Sequence, residues 1–211
     1  LEMEAGASSR QEVLQLRAVL RSISPLIWRR LLVRGDTSVA RLHQILQVAF
    51  GWQDMHLHRF EIRGREYGVH QEGGVFFDTD AHEVLIGQLK LRRLERFTYA
   101  YDFGDLWVHD LRIEATLPLD PKLVFPVCIA GRRAAPPEDC GGPHAFIATR
   151  FEYTLIGESR SRQEFEDPLD DEVDDEEWAI LRHYHPDRFD RRAVNRRLAA
   201  LAAPSQERWV P

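Results

Sequence analysis

The sequence predicts an α+β fold: a β-grasp-like ββαβ unit, extended by an aromatic β-hairpin into a mixed sheet and followed by C-terminal helices. Three observations carry this expectation. Apolar and polar residues alternate over 13–23 and again over 27–33, the period of half-buried strands. The spacing then changes to a helical stripe that ends at Gly51. Two aromatic-rich alternating runs meet at Gly104, as the arms of a hairpin do.

The elements follow in order. "VLQLRAVLRSI" puts Leu14, Leu16, Ala18 and Leu20 on one side, and Ser24-Pro25 breaks the run. "IWRRLLV" resumes with Ile27, Leu31 and Val33. In "GDTSVARLHQILQVAFGW", Asp36 or Thr37 is the expected cap, Val39, Leu42, Ile45, Leu46, Ala49 and Phe50 form the stripe, and Gly51 stops it. "HRFEIRG" is a third strand turning at Gly64. Residues 68–96 read as loop, a short strand or turn, and one helical turn. In "FTYAYDFGDLWVHDLRIEATLP", Phe97, Tyr99, Tyr101 and Phe103 alternate toward the turn, and Trp107, His109, Leu111 and Ile113 alternate away from it. The segment "CIAGRRAAPPEDCGG" reads as a stiff loop, while "HAFIATRFEYTLIG" fits helix and strand equally. "DEEWAILRHYH" and "DRFDRRAVNRRLAALAA" are helical, the second capped by Asp190.

These readings divide the chain into a disordered tail or vector-derived remnant (1–12), an α+β core (13–160), an acidic linker (161–177) and C-terminal helices packing on the core (178–203). With five Trp and eleven Phe among 211 residues, the chain can bury a substantial core. No apolar run approaches the ~20 residues that cross a bilayer, and no signal-peptide core stands near the start. A cytoplasmic location without membrane partners is the expectation.

The net charge of −6 is local in origin. "EFEDPLDDEVDDEE" (164–177) holds ten carboxylates and no base, leaving 28 basic against 24 acidic groups elsewhere. Nearly all the basic groups are arginine, with Lys90 and Lys122 the two lysines. The acidic run reads as a solvated linker, with a mask over an arginine-rich face as the alternative.

Several residues have the chemistry of a site. His56 and His58 stand at i and i+2, so on one strand both imidazoles would project from the same face. His109 lies on the apolar side of its strand, where a core role competes with ligand or base. Asp102 and Asp105 bracket Gly104, as turn-shaping residues or as hard-cation ligands. Cys128 and Cys140 have eleven residues between them, unlike the short spacing of zinc modules. A structural loop with free thiols is therefore the main reading, with metal ligation, a disulfide and a nucleophile as alternatives. A divalent, zinc-like ion held by His56, His58, His109, Cys128 and Cys140 is the one cofactor considered, and none is otherwise expected. Arg191, Arg192, Arg196 and Arg197 have helical spacing that would suit a phosphate backbone.

Taken together, "PLIWRRLLV", "LHQILQVAFGW", "HLHRFEI", "YDFGDLWVHDL", "CIAGRRAAPPEDCGG" and "HPDRFDRRAVNRRLAAL" resemble one known family, the plasmid pRiA4b ORF-3-like proteins. The resemblance covers most of residues 14–201, with a departure after Gly142. It implies an α+β domain encoded near bacterial plasmid or transposon genes, with some members labelled resolvase or repressor. It carries over no catalytic residue.

Resolvase chemistry itself is not expected. Serine recombination needs a nucleophilic Ser within an arginine cluster near the N-terminus. Ser8 and Ser9 lie in the tail, and Ser22 and Ser24 at a strand break. The leading expectation is a non-enzymatic binding or accessory module of mobile elements, with a protein or nucleic-acid partner. Its surface would comprise Asp102, Asp105, Trp107, Glu138 and Asp139. The alternatives are a metal-dependent hydrolase or nuclease using a His/Asp cluster, and a DNA-binding regulator acting through the arginine-rich C-terminal helix.

Overall fold

Alternation along the first strand decides which side of the sheet becomes the core. The structure, a computed structural model, describes residues 12–70, 75–150 and 184–202. Strand β1 (Glu12–Leu20) buries Leu14, Leu16, Ala18 and Leu20 on one face, as its period of two requires. It pairs antiparallel with β2 (Trp28–Arg34) on one side and with β7 (Trp107–Pro118) on the other.

Helix α1 (Val39–Phe50) covers the buried face with Val39, Leu42, Ile45, Leu46 and Ala49. Its cap is Ser38, whose side chain accepts a hydrogen bond from the Arg41 amide at 3.1 Å. The expected caps, Asp36 and Thr37, are therefore replaced. Asp36 accepts two bonds from the Arg34 guanidinium, at 2.8 and 2.5 Å. Gly51 ends the helix in the left-handed region, at φ 87°, as expected.

The remaining strands are β3 (His58–Ile62), β4 (Arg65–Gly68), β5 (Thr79–Asp80), β6 (Arg96–Tyr101) and β8 (Val127–Arg132). A single 3-10 turn spans Ile86–Leu89. The sheet order is β5-β4-β3-β6-β7-β1-β2-β8, antiparallel throughout except for β4 with β5, so the sheet is mixed and open. The strand after the helix, β3, does not join the β1–β2 hairpin. The β6–β7 hairpin is seated between them, because β7 pairs along all of β1. The ββαβ elements thus occur in chain order without forming one contiguous sheet.

Two further differences concern the cysteine segment and its sequel. Its first half is strand β8, because the open edge of β2 offers a ladder to the apolar run around Cys128. Residues 142–150 form helix α2, so the described part of the ambiguous segment (144–150) is helical and places Phe146 in the core, while 151–157 lie outside the described residues. Helix α3 (Arg191–Ala202) is capped by Asp190, which accepts from the Ala193 amide at 2.9 Å, as expected. It packs on β8 and α1 through Val194 and Leu198. Asn195 makes two bonds to Cys128, accepting from its amide at 2.7 Å and donating to its carbonyl at 3.0 Å. The tail, the acidic segment and the helix read around Trp178 lie outside the described residues, apart from Glu12 and from Tyr184 and His185, which are not helical.

Neighbouring arginines on β2 go to opposite sides. Arg29 is 2% exposed, with its guanidinium between the rings of Phe50 (5.0 Å) and Phe189 (4.0 Å). It donates to the carbonyls of Ala49, Trp28 and Arg132 at 2.8, 2.9 and 3.1 Å. Burial lowers its pKa to about 10, and it stays charged against the negative end of α1. Arg30 points to the face that no described helix covers.

Candidate functional site

Three segments meet at the end of the sheet where α1 stops: residues 51–57, the β6–β7 turn and the loop 133–142. Trp52, buried just past Gly51, stacks between Phe50 and Tyr101, with centroids at 5.6 and 5.2 Å. Its indole N–H donates to the Pro136 carbonyl at 2.9 Å, which ties the cysteine loop to the helix end. Tyr101 completes the junction: its hydroxyl donates to Glu138 at 2.5 Å and accepts from the Met55 amide at 3.0 Å. Burial, then Glu138, raises its pKa. Glu138 also accepts from the Gln53 amide at 2.8 Å.

The hairpin turn is shaped by Asp102, whose Oδ1 accepts from the amides of Gly104 (2.9 Å) and Asp105 (3.3 Å). Asp105 in turn accepts from the Gly141 amide at 3.1 Å. Gly142 lies so close that a Cβ there would be 2.6 Å from the Asp105 carbonyl oxygen. The turn and the loop therefore form one platform.

Two polar clusters sit at this end. In the inner one, His43 on α1 contacts the Tyr99 hydroxyl at 2.8 Å and Asp54 at 2.5 Å through its two ring nitrogens. Gln47 donates to the same hydroxyl at 2.9 Å. The His58 ring stacks on His43 at 3.4 Å and 4°. Burial, and then His43, lowers the His58 pKa to about 3, so this imidazole is neutral. The hydrogen bond from His43 holds the Asp54 carboxyl below its ordinary range. In the outer cluster, His56 Nε2 lies 2.9 Å from Asp139 Oδ1 and 3.7 Å from Asp102 Oδ2. His56 Nε2 is itself buried and makes no well-aligned hydrogen bond, despite the short distance to Asp139.

Each cluster has ligand atoms within 4.8 Å of one another, yet they differ as metal sites. Imidazole lone pairs lie in the ring plane, so the parallel stacked rings of His43 and His58 cannot both aim at one ion. Both nitrogens of His43 are also engaged. The inner cluster is a hydrogen-bonded network. In a tetrahedral site with bonds of 2.0–2.1 Å, ligand atoms are separated by about 3.3 Å. The His56–Asp139 and His56–Asp102 separations bracket that value, and Asp139 is exposed, so the outer cluster fits a cation.

The residues singled out in the sequence are thus redistributed. His56 and His58 do not share an ion, because His56 precedes β3 and turns to the hairpin while His58 turns to α1. His109 is fully buried and belongs to neither cluster. Cys128 is buried on β8 and Cys140 lies in the loop; both are free thiols, and neither joins a described ligand cluster. Burial, then Asp105, pushes the Cys140 thiol up to about 12, which disfavours the thiolate that a nucleophile requires. Trp107 is fully buried, so it supports the platform from beneath and offers no surface. Asp102, Asp105, Glu138 and Asp139 all sit on the platform. Arg192, Arg196 and Arg197 are exposed on α3, and Arg191 donates to the Ile129 carbonyl at 2.7 Å. Sequence reasoning missed His43 and Asp54. The available signal was that His43 falls in step with Val39, Leu46 and Phe50 on the apolar stripe.

Comparison with known proteins supports one assignment. The chain is 34% identical over 135 residues to the uncharacterized protein y4hQ of Sinorhizobium fredii (strain NBRC 101917 / NGR234), covering 64% of this chain and 69% of that one. It is similar to the crystal structure of MM3350, a protein of unknown function from Methanosarcina mazei Go1. That likeness has a TM-score of 0.64 and 27% identity, and covers 86% of this chain and 97% of the other. A family model described as plasmid pRiA4b ORF-3-like protein matches residues 12–195. With that match spanning most of its length, and with the aspartate turn and the PPEDCGG loop docked on each other, the chain belongs to the plasmid pRiA4b ORF-3-like family.

Proposed function

We propose that the protein is a binding module of mobile genetic elements whose recognition platform is organised by a divalent cation. The observation that carries this reading is the convergence of His56, Asp102 and Asp139 from three separate segments. One imidazole and two carboxylates suit a zinc- or manganese-like ion. Such an ion would cross-link the helix-end loop, the hairpin turn and the PPEDCGG loop, and fix the surface presented by Asp105 and Glu138. Its open coordination positions would face solvent beside Asp139, where a donor from a partner could complete the shell.

The test is calorimetric titration of chelator-treated full-length protein with zinc and with manganese. One ion per chain is expected, with affinity at least ~10-fold lower in His56→Ala and Asp139→Asn. Absence of binding, or binding unaltered in both variants, overturns the reading.

A second reading rests on those open positions. Three protein ligands plus an exchangeable site is the arrangement that activates water in catalytic centres. Turnover of phosphodiester or ester substrates, lost in His56→Ala with the fold intact, would make the module an enzyme. No turnover in the metal-loaded protein would leave binding as its role.

A further inference from the structure

We infer that the helix-free face of the sheet binds the phosphate backbone of single-stranded nucleic acid, through a row of arginines built by strand register. Arg96 on β6 is paired with Arg112 on β7, Arg112 with Arg17 on β1, and Arg17 with Arg30 on β2. Four consecutive antiparallel strands thus place an arginine at the same level and on the same face. Like charges directly opposite one another destabilise a sheet, so a row of four needs negative charge to balance it.

The described residues supply little of that charge. Glu114 accepts from Arg30 at 2.5 and 3.1 Å and from Arg112 at 3.3 Å, one carboxylate serving two guanidiniums. Among the described residues no carboxylate is within ion-pair distance of Arg17 or Arg96. Arg17 instead lies over the Trp28 ring at 5.1 Å, with Arg30 at 5.4 Å from the same ring, a contact that holds Arg17 without neutralising it. The Arg17 and Arg112 Nε atoms are buried and lack hydrogen-bond acceptors.

The row also continues. Arg93 donates to the Glu114 carbonyl at 3.2 Å, and a depression of about 730 Å³ lined by Arg63, Lys90, Arg92, Arg93 and Glu95 opens beside it. Among the described residues, all three helices pack on the opposite face.

Charge complementarity selects the occupant. Strands spaced by ~4.8 Å give the four-residue row a length of ~14 Å. A stacked nucleic-acid strand rises ~3.4 Å per unit, so that length spans several phosphates. A polymer charged on every unit suits a row of arginines, and planar arginine forks suit phosphate oxygens. The row is single, so it follows one backbone.

Fluorescence anisotropy of a labelled single-stranded oligonucleotide of about 20 nucleotides, made as DNA and as RNA, tests this with the full chain. Binding that weakens with salt is expected for at least one of the two. Arg17→Ala combined with Arg96→Ala should weaken it by ~10-fold and reduce the salt slope by about 0.7 per lost contact. Exposed Arg96→Glu alone should act in the same direction if the double variant folds poorly. No binding, equal affinity in these variants, loss confined to Arg192→Ala/Arg196→Ala on α3, or equally tight capture of polyglutamate would each overturn the inference. Because the cation-site residues lie on the platform and not in this row, His56→Ala separates this inference from the platform reading.

Discussion

His109 shows how much one position in the register determines. It stands opposite Tyr99 and Leu20, with Phe50 edge-on at 4.5 Å, and no water-facing surface remains. The Tyr99 and Trp107 backbones lie near the ring without completing a well-aligned hydrogen bond. Burial lowers its pKa to about 3, against about 6.5 for an unfolded histidine. Between those values the unfolded chain takes up a proton that the native chain refuses. This contribution is fully present above about pH 6.5 and is lost as pH falls toward 3, at up to ~1.4 kcal/mol per pH unit. Glu114, held at about 2 chiefly by Arg30, acts in the same direction: its contribution is lost as pH falls from about 4.5. Thermal melts should therefore show Tm falling between about pH 6.5 and 4, with a shallower fall in His109→Leu. An identical slope in that variant would show that the ring is not held neutral. The apolar alternation around Trp107 and Leu111 made the inward direction of His109 legible. Its distance from His56 depended on pairings between strands far apart in the chain.

At the scale of elements, the docking of turn on loop rests on Gly142. Its φ of 78° and the 2.6 Å approach to the Asp105 carbonyl both exclude a side chain. Gly142→Ala should cost about 2 kcal/mol and loosen the platform, read as a lower Tm with weaker cation binding. Unchanged Tm would mean that the loop does not need this approach. The β6–β7 hairpin could be read from aromatic alternation and a Gly-Asp turn, which are local signals, except at Phe103: β6 ends at Tyr101, and Phe103 lies exposed in the turn because Asp102 folds back onto the Gly104 and Asp105 amides. Strand β8 could not, because its stability comes from the free edge of β2 and not from its own short run. Ser38 replaced Asp36 as the cap for a similar reason: Arg34 engages the aspartate, a competition that a capping rule does not include.

For the whole molecule, α+β class and chain order were legible, but neighbour order was not. Nothing local in residues 97–113 says that this hairpin will part β3 from β1. The arginine row has the same origin. Neighbours in the row are separated by 13 to 95 positions in sequence, and only the register of four strands aligns them. Pairs that looked alike also split, with Arg29 entering the core and Arg30 joining the row.

The carboxamide of Asn195 has a consequence for solubility. The sheet has two ends. At one, β5 is two residues long, too short to template another chain. At the other, β8 turns the amide and carbonyl of Cys128 outward, and Asn195 satisfies both as a neighbouring strand would. Arg191 likewise occupies the Ile129 carbonyl. Helix α3 thereby acts as a plug against edge-to-edge association. Asn195→Leu would uncover that ladder, and light scattering on warming should then rise well before the wild-type protein clouds. Matching turbidity curves would show that the plug is dispensable.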